Sequence, residues 1–388
     1  MSAAAVSGGW LDAPRRLRDR LLASEGFRHW AAGFPLTRAL ARRRARRLFD
    51  LCAGFVYSQV LLACVRLDLF EALRGGPLEA AALAPRLGLD VAACERLLKA
   101  AAALELVESR ARGRWGLGPF GAVLVGNEAV RAMVEHHALV YVDLRDPVAL
   151  LRGESTATGL ERYWAYAADA PLDGLAGERV VDYTRLMSSS QPLVAADVLD
   201  AYPLGRHACL LDAGGGDGTF LRACARRAPA LRLVLFDLPP VAARARAAFE
   251  QAGLGARATA VGGDFFRDPW PRGADVVSLV RVVHDHDDAA VALLLRRARE
   301  ALPPGGTLLL AEPFAGTPGA ETVGDAYFGF YLLAMGRHRA GRARTVRELR
   351  EMLGRAGFVD VREVPTRQPL QTGLLVARTP EQELDDRR

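Results

Sequence analysis

The second half of the chain alternates short, continuously apolar runs with longer mixed stretches. Leu210 to Ala213, Val234 to Phe236, Val276 to Val280 and Thr307 to Ala311 are apolar at nearly every position. Runs of that length, apolar on both faces, predict buried strands of an open α/β sheet. Each run stops at a glycine or a polar cluster. The first half is patterned differently. Leu67 to Leu73 has helical spacing, and Gly75-Gly-Pro77 breaks it. Leu78 to Leu87 and Val91 to Leu106 read as two more helices, the second capped by Asp90. Val107 to Ser109 and Arg114 to Leu117 flank Ala-Arg-Gly and predict a small hairpin. Three helices and a hairpin make a winged helix. Residues 127–200 read as mainly helical, looser around 152–178. The pattern thus predicts an N-terminal arm (1–48), a mainly α winged-helix-like domain (49–177) and an α/β domain (178–378), with a frayed charged end from Thr379.

The strand ends carry the chemistry. Asp212, Gly214 and Gly216 lie in Leu210-Leu-Asp-Ala-Gly-Gly-Gly-Asp-Gly-Thr-Phe220, a strand, a glycine-rich turn and a helix start. Glycines there let backbone approach a ligand closely. The dinucleotide fingerprint G-x-G-x-x-G fails, because Thr219 occupies the third glycine position. Asp237 ends the next strand, 21 residues after Gly216, a spacing that suits a ribose diol. Asp264 and Phe265 follow in Gly262-Gly-Asp-Phe-Phe266. Arg281 and the cluster His284-Asp285-His286-Asp287 close a third strand, and Glu312 closes a fourth. Ligands of open α/β sheets bind at the carboxyl ends of strands, where all these residues fall.

The G-G-G-D-G loop and the His284-Asp285-His286-Asp287 cluster resemble the S-adenosylmethionine-dependent O-methyltransferases shared by plant phenolic and bacterial natural-product pathways. The resemblance covers residues 45–378. Phe34-Pro-Leu-Thr-Arg38 and Leu48 to Val60 are similar, more specifically, to the hydroxyneurosporene and demethylspheroidene O-methyltransferases of purple phototrophic bacteria. The resemblance implies a winged-helix dimerisation domain, a Rossmann-like methyltransferase domain and a homodimer. It implies S-adenosyl-L-methionine as cofactor and the tertiary hydroxyl of an acyclic carotenoid as substrate. His284 is then the general base, with Asp285 and Glu312 as candidates to orient it. Asp212, Gly214, Gly216, Asp237, Asp264, Phe265 and Arg281 are the cofactor set. Met187, Phe328, Tyr331, Met335 and His338 are candidates to line the substrate pocket. Tyr327 to Met335 reads equally as ordinary helix core, and His338 equally as a surface residue between Arg337 and Arg339.

The chain departs from the plant pattern in two places. Gly341-Arg-Ala-Arg-Thr345 puts Ala343 where those enzymes carry a second glutamate. Val280 stands where they carry a cofactor-contacting lysine; the resemblance to the bacterial members, where arginine is usual one residue later, implies that Arg281 takes over that contact. His136 and His137 have no partner identifiable from sequence. No cysteine, histidine or acid spacing suits a metal.

Composition sharpens this picture at one end only. The 388 residues carry a formal net charge of +6. Residues 1–50 hold eleven arginines against Asp12, Asp19, Glu25 and Asp50, a net +7, so residues 51–388 sum to −1. The basic arm is interleaved with Trp10, Leu17, Leu21, Phe27, Trp30 and Phe34. Two readings fit: contact with an anionic membrane surface, or a helix packed on the partner subunit. The longest apolar run, Leu51 to Val65, is shorter than the about 20 residues that span a bilayer, and reads as a core or dimer-interface helix. Five cysteines without metal spacing read as reduced thiols of a cytoplasmic protein. A winged helix also suits a DNA-binding regulator. Arg86, Arg96 and Lys99, set among acids and alanines, are a poor base-reading surface. A phenolic or polyketide substrate remains the alternative for the same chemistry.

Overall fold

The computed structural model describes residues 9–154, 158–163, 191–335, 341–368 and 372–381. By contacts the chain divides into two units, Met1–Gly126 and Asn127–Arg388.

The first unit opens with the basic arm, which is helical: α1 (Gly9–Ala23), α2 (Glu25–Gly33) and the start of α3 (Pro35–Arg66). Ser24 caps α2, its hydroxyl accepting from the Phe27 N–H. Pro35 opens α3 at a position whose N–H has no intrahelical partner anyway. The expectation for Leu51 to Val65 understated this element. α3 runs for 32 residues and is, among the described residues, the one helix long and apolar enough to cross a membrane by length and composition. Its last turns are packed, with Leu62, Cys64 and Val65 buried, while Leu48, Phe49, Leu51 and Phe55 stay exposed.

The winged-helix pattern follows: α4 (Leu69–Leu73), β1 (Leu78–Glu79), α5 (Ala80–Leu83), α6 (Val91–Ala103), β2 (Val107–Arg110) and β3 (Arg114–Leu117). Asp90 caps α6 through the Ala93 N–H at 2.7 Å. β2 and β3 form the expected antiparallel hairpin. The helix expected over Leu78 to Leu87 is instead a strand and two short helical turns. Leu78 and Glu79 pair with Trp115 and Arg114, making β1 the outer strand of the wing. Pro85 then ends α5, since it lacks the N–H a continuing helix needs and leaves only a 3₁₀ turn, Ala84–Leu87. α7 (Pro119–Leu124) lies across the wing, with Gly118 and Gly121 against the Glu105 and Leu106 carbonyls.

The second unit begins fifty residues earlier than the strand pattern suggested. α8 (Glu128–Asp143), α9 (Pro147–Arg152) and α10 (Gly159–Tyr163) belong to it. Val140, Leu150 and Leu160 share a buried cluster with Tyr331, Leu332, Ala334 and Met335. The Asp143 carboxylate accepts from the Gly159 and Leu160 N–H groups, both at 2.7 Å. Helix α11 (191–201) leads into the sheet.

The sheet has β4 (Cys209–Ala213), β5 (Arg232–Asp237), β6 (Ala258–Gly262), β7 (Val276–Val280), β8 (Thr307–Glu312), β9 (Val359–Val364) and β10 (Gly373–Arg378), in the order β6-β5-β4-β7-β8-β10-β9. β4 to β8 are parallel, and β10 is antiparallel to both neighbours. Alternate residues feed opposite faces: Leu210 and Val276 enter one core with Phe220 and Phe249, Leu211 and Val277 the other with Leu294 and Leu353. Helices α12 (Thr219–Arg227), α13 (Pro239–Gln251), α14 (Asp288–Ala301), α15 (Phe328–Ala334) and α16 (Val346–Arg355) complete the unit. Chain order reverses direction between β4 and β7, which opens a crevice at their carboxyl ends.

Gly121→Ala should test the packing of the wing. Its methyl would fall on the Leu106 carbonyl oxygen. Overpacking of this kind costs about 1–3 kcal/mol, so the urea midpoint of the first unit should drop. An unchanged midpoint would mean that α7 is free to shift.

Candidate active site

The glycine turn after β4 sets the first wall of the crevice. Gly214 has φ +74° and donates its N–H to the Phe236 carbonyl at 2.8 Å. A methyl there would lie 2.8 Å from Val282 Cγ2 and 3.6 Å from Phe265 Cε1. Gly216 has φ +61° and open space above it. The turn therefore brings bare backbone against the crevice.

Asp237 and Asp212 have opposite placements. Asp237 is half-buried at the end of β5. Its Oδ2 accepts from the Gly216 N–H at 2.9 Å and its Oδ1 from the Leu238 N–H at 2.7 Å. Burial pushes its pKa up to about 6 against the pull of those two donors. Each oxygen keeps a further lone pair. Asp212, expected beside it in the cofactor set, is instead 1% exposed. Its position in β4 points the side chain into the sheet, where Oδ1 accepts from the Ser278 hydroxyl at 2.6 Å. Oδ2 sits beneath Gly215 with no hydrogen-bond partner among the described residues. Desolvation raises the Asp212 pKa to about 7. Asp212 braces the loop from below.

Asp264 and Phe265 follow β6 at the same edge. The Asp264 Oδ1 accepts from the Phe266 N–H at 2.8 Å, and Arg267 pairs with it at 3.6 Å. The Phe265 ring meets Phe266 and His286 edge-on, with centroids 4.7 and 5.7 Å apart. His286 is buried in that aromatic cluster, its ring also edge-on to Phe266 with centroids 5.1 Å apart.

Arg281 follows β7, and its φ of +59° is uncommon for a residue with a side chain. Its charge opposes protonation of His284. His284 sits on the 3₁₀ turn Val283–Asp285 and is 8% exposed. Its Nδ1 hydrogen-bonds with Glu312 Oε2, and its Nε2 lies 3.3 Å from Asp285 Oδ1. The other Glu312 oxygen accepts from the Val282 and Val283 N–H groups at 2.8 and 2.6 Å. One buried carboxylate thus holds both the imidazole and the backbone that carries it. Burial alone would lower the His284 pKa. The Asp285 and Glu312 charges outweigh it, and the pKa is raised above the ordinary value.

Of the substrate candidates, Phe328 faces the site, its ring edge-on to His284 at 5.9 Å. Tyr331 and Met335 are buried in the cluster of α8, α9, α10 and α15, so they are helix core. Met187 and His338 lie outside the described residues. Two residues without a sequence-identified partner now have one: His136 Nε2 is 2.8 Å from the Tyr331 hydroxyl, and His137 Nε2 is 2.8 Å from that of Tyr327. The only signal was a pair of adjacent histidines in an apolar helix. Burial takes the His136 pKa down to about 4, so that pair is neutral at neutral pH.

An acceptor pair, a bare-backbone turn and a carboxylate-held histidine around one crevice describe a group-transfer site for a nucleoside-bearing donor. The O-methyltransferase domain matches residues 141–359, and the O-methyltransferase dimerisation domain matches residues 49–127. The demethylspheroidene O-methyltransferase of Cereibacter sphaeroides is 42% identical over 365 residues, 94% of this chain and 95% of that protein. The Rhodobacter capsulatus protein of the same name is 41% identical over 345 residues, 88% of this chain and 84% of its own. The apo structure of the S-adenosylmethionine-dependent methyltransferase SibL superposes with a TM-score of 0.72 at 27% identity, covering 86% of this chain and 99% of its own. The chain belongs to the O-methyltransferase family, with an N-terminal dimerisation domain that makes it a homodimer. Its methyl donor is S-adenosylmethionine. The residues fit that donor: open space above Gly216, two acceptor oxygens on Asp237, and the Phe265 ring beside the turn.

Asp237→Ala should weaken S-adenosylmethionine binding by about 3–6 kcal/mol, the worth of two hydrogen bonds to a charged group. Wild-type affinity should also fall as pH drops through about 6, where the carboxylate gains a proton. Calorimetry between pH 5 and 8 reads both. Unchanged affinity in the variant would take Asp237 out of the site.

Proposed function

We propose that the protein methylates the tertiary 1-hydroxyl of a hydroxylated acyclic carotenoid. The observation that carries this is the 42% identity to a demethylspheroidene O-methyltransferase across 94% of the chain. The apolar, aromatic character of the residue beside His284, Phe328, supports a polyene rather than a polar substrate.

Bound S-adenosylmethionine supplies an electrophilic sulfonium methyl. The chain's own residues must place the hydroxyl oxygen in line and take its proton. Glu312 accepts from Nδ1–H, which leaves Nε2 of His284 as the nitrogen that receives the proton. The oxygen forms the new C–O bond as the C–S bond breaks, and the hydroxyl proton passes to Nε2. Timing follows from magnitudes. An alcohol with a pKa near water's, about 15.7, stands roughly nine units above histidine at about 6.5. Prior deprotonation would cost on the order of 12 kcal/mol, so the proton leaves as the C–O bond forms. Asp285 and Glu312 bracket the imidazolium that develops. This places one carboxylate on each ring nitrogen despite Ala343.

The arm delivers the cytoplasmic enzyme to lipid. Its net +7 surrounds an exposed aromatic stack, Trp30 on Phe34 with centroids 5.0 Å apart. Leu17, Leu36 and Leu40 are exposed as well. Arginines near an anionic surface contribute about 1 kcal/mol each, screened by salt, and exposed tryptophan suits the interface. The apolar half of α3 falls within the matched dimerisation domain, which supports a contact with the partner subunit rather than with the bilayer.

Incubation with labelled S-adenosylmethionine should transfer label to 1-hydroxycarotenoids and not to catechols; the opposite preference would replace the carotenoid reading with a phenolic one. His284→Ala should cut turnover by about 10²–10⁴-fold with cofactor affinity unchanged. The rate should rise with pH through a midpoint above about 6.5, because only neutral His284 accepts a proton. Asp285→Asn should move that midpoint down. Deletion of residues 1–45 should weaken sedimentation with anionic liposomes at low salt and spare activity on detergent-dispersed substrate. Loss of dimer on a sizing column, with both activities falling together, would instead make the arm a subunit contact.

A further inference from the structure

The turn that carries His284 is held on two sides. Its N–H groups, from Val282 and Val283, bind Glu312. Its carbonyls bind Arg344. The Arg344 Nη1 donates to the Val283 carbonyl at 3.0 Å, and Nη2 donates to the His286 carbonyl at 2.7 Å. Nη1 also donates to the Arg342 carbonyl at 3.3 Å. Nε and Nη2 reach Asp288 Oδ1 at 2.9 and 2.7 Å. These five bonds use every N–H that a guanidinium has. The residue is 2% exposed. Gly341 of the same segment packs under the turn as well: a methyl there would lie 2.5 Å from the His284 carbonyl oxygen.

We propose that Arg344 is a positioning residue for the transfer. It holds the turn on either side of His284-Asp285 and so fixes where Nε2 stands relative to the incoming hydroxyl. The stretch Gly341 to Thr345, which lacks a glutamate at Ala343, contributes to catalysis through this guanidinium. Only arginine fits the role. Lysine has three donors on one nitrogen and cannot span two carbonyls and a carboxylate. A misplacement of about 1 Å at a reacting group can cost on the order of 10²-fold in rate.

The inference rests on His284 as the base, and the experiment separates the two. Arg344→Lys should lower kcat by about 10–100-fold, with the S-adenosylmethionine Kd within about twofold of wild type. The pH–rate midpoint should move down toward about 6.5, as the loosened turn parts His284 from Asp285. Asp288→Ala removes two of the five bonds at a side chain that is 60% exposed, so the fold tolerates it. It should lower kcat by a few fold in the same direction. Wild-type kcat and an unmoved midpoint in Asp288→Ala, together with wild-type kcat in Arg344→Lys or an Arg344→Lys protein that does not fold, overturn the proposal. If His284→Ala loses turnover while both Arg344→Lys and Asp288→Ala keep it, the base stands and only the positioning role falls. If His284→Ala keeps turnover, the base reading itself is wrong.

Discussion

The site depends on one buried carboxylate. Glu312 ends β8, and its two oxygens do different work. One satisfies two backbone N–H groups that would otherwise be orphaned where β7 gives way to a turn. The other takes the imidazole Nδ1. A buried charge of this kind is tolerated only when its lone pairs are used. The backbone donors therefore stabilise the carboxylate, and the carboxylate fixes the histidine. Arg344 completes the arrangement from the carbonyl side, so the turn carries a negative group at its donors and a positive group at its acceptors.

The same economy governs the cofactor side. The turn after β4 is held by Asp212 from below and by Asp237 from the neighbouring strand. Both acids are pushed up in pKa by burial, Asp212 to about 7 and Asp237 to about 6. They differ in where they face. Asp212 points into the sheet and spends its bond on Ser278; Asp237 stands at the strand end with acceptor capacity left over. Two acids in one structural role would be redundant, but one braces the turn and the other is open to the ligand.

What the sequence revealed and what it hid divide along one line. The strand ends, the glycine turn, the Asp90 cap and the hairpin were legible because each is fixed by residues close in the chain. β1 was not, because Leu78 and Glu79 become a strand only when Arg114 and Trp115 lie beside them. α8 could not be assigned to the second unit, because its apolar face is covered by Tyr331 and Met335, nearly two hundred residues on. The inward turn of Asp212 was hidden for the same reason: Ser278 decides it. Arg344 lay in a stretch read only for the glutamate it lacks. Of the substrate candidates among the described residues, Phe328 alone is beside the base, since helix periodicity cannot say which face of Tyr327 to Met335 meets the crevice and which meets α8.

The central claim is that Glu312 holds the proton of neutral His284 on Nδ1 and leaves Nε2 free to accept another. Nitrogen-15 spectra of the imidazole, recorded on protein labelled at histidine, read this directly. The account predicts the Nδ1–H tautomer for the neutral ring, with a titration midpoint above about 6.5. An Nε2–H tautomer, or a midpoint below that value, would contradict it.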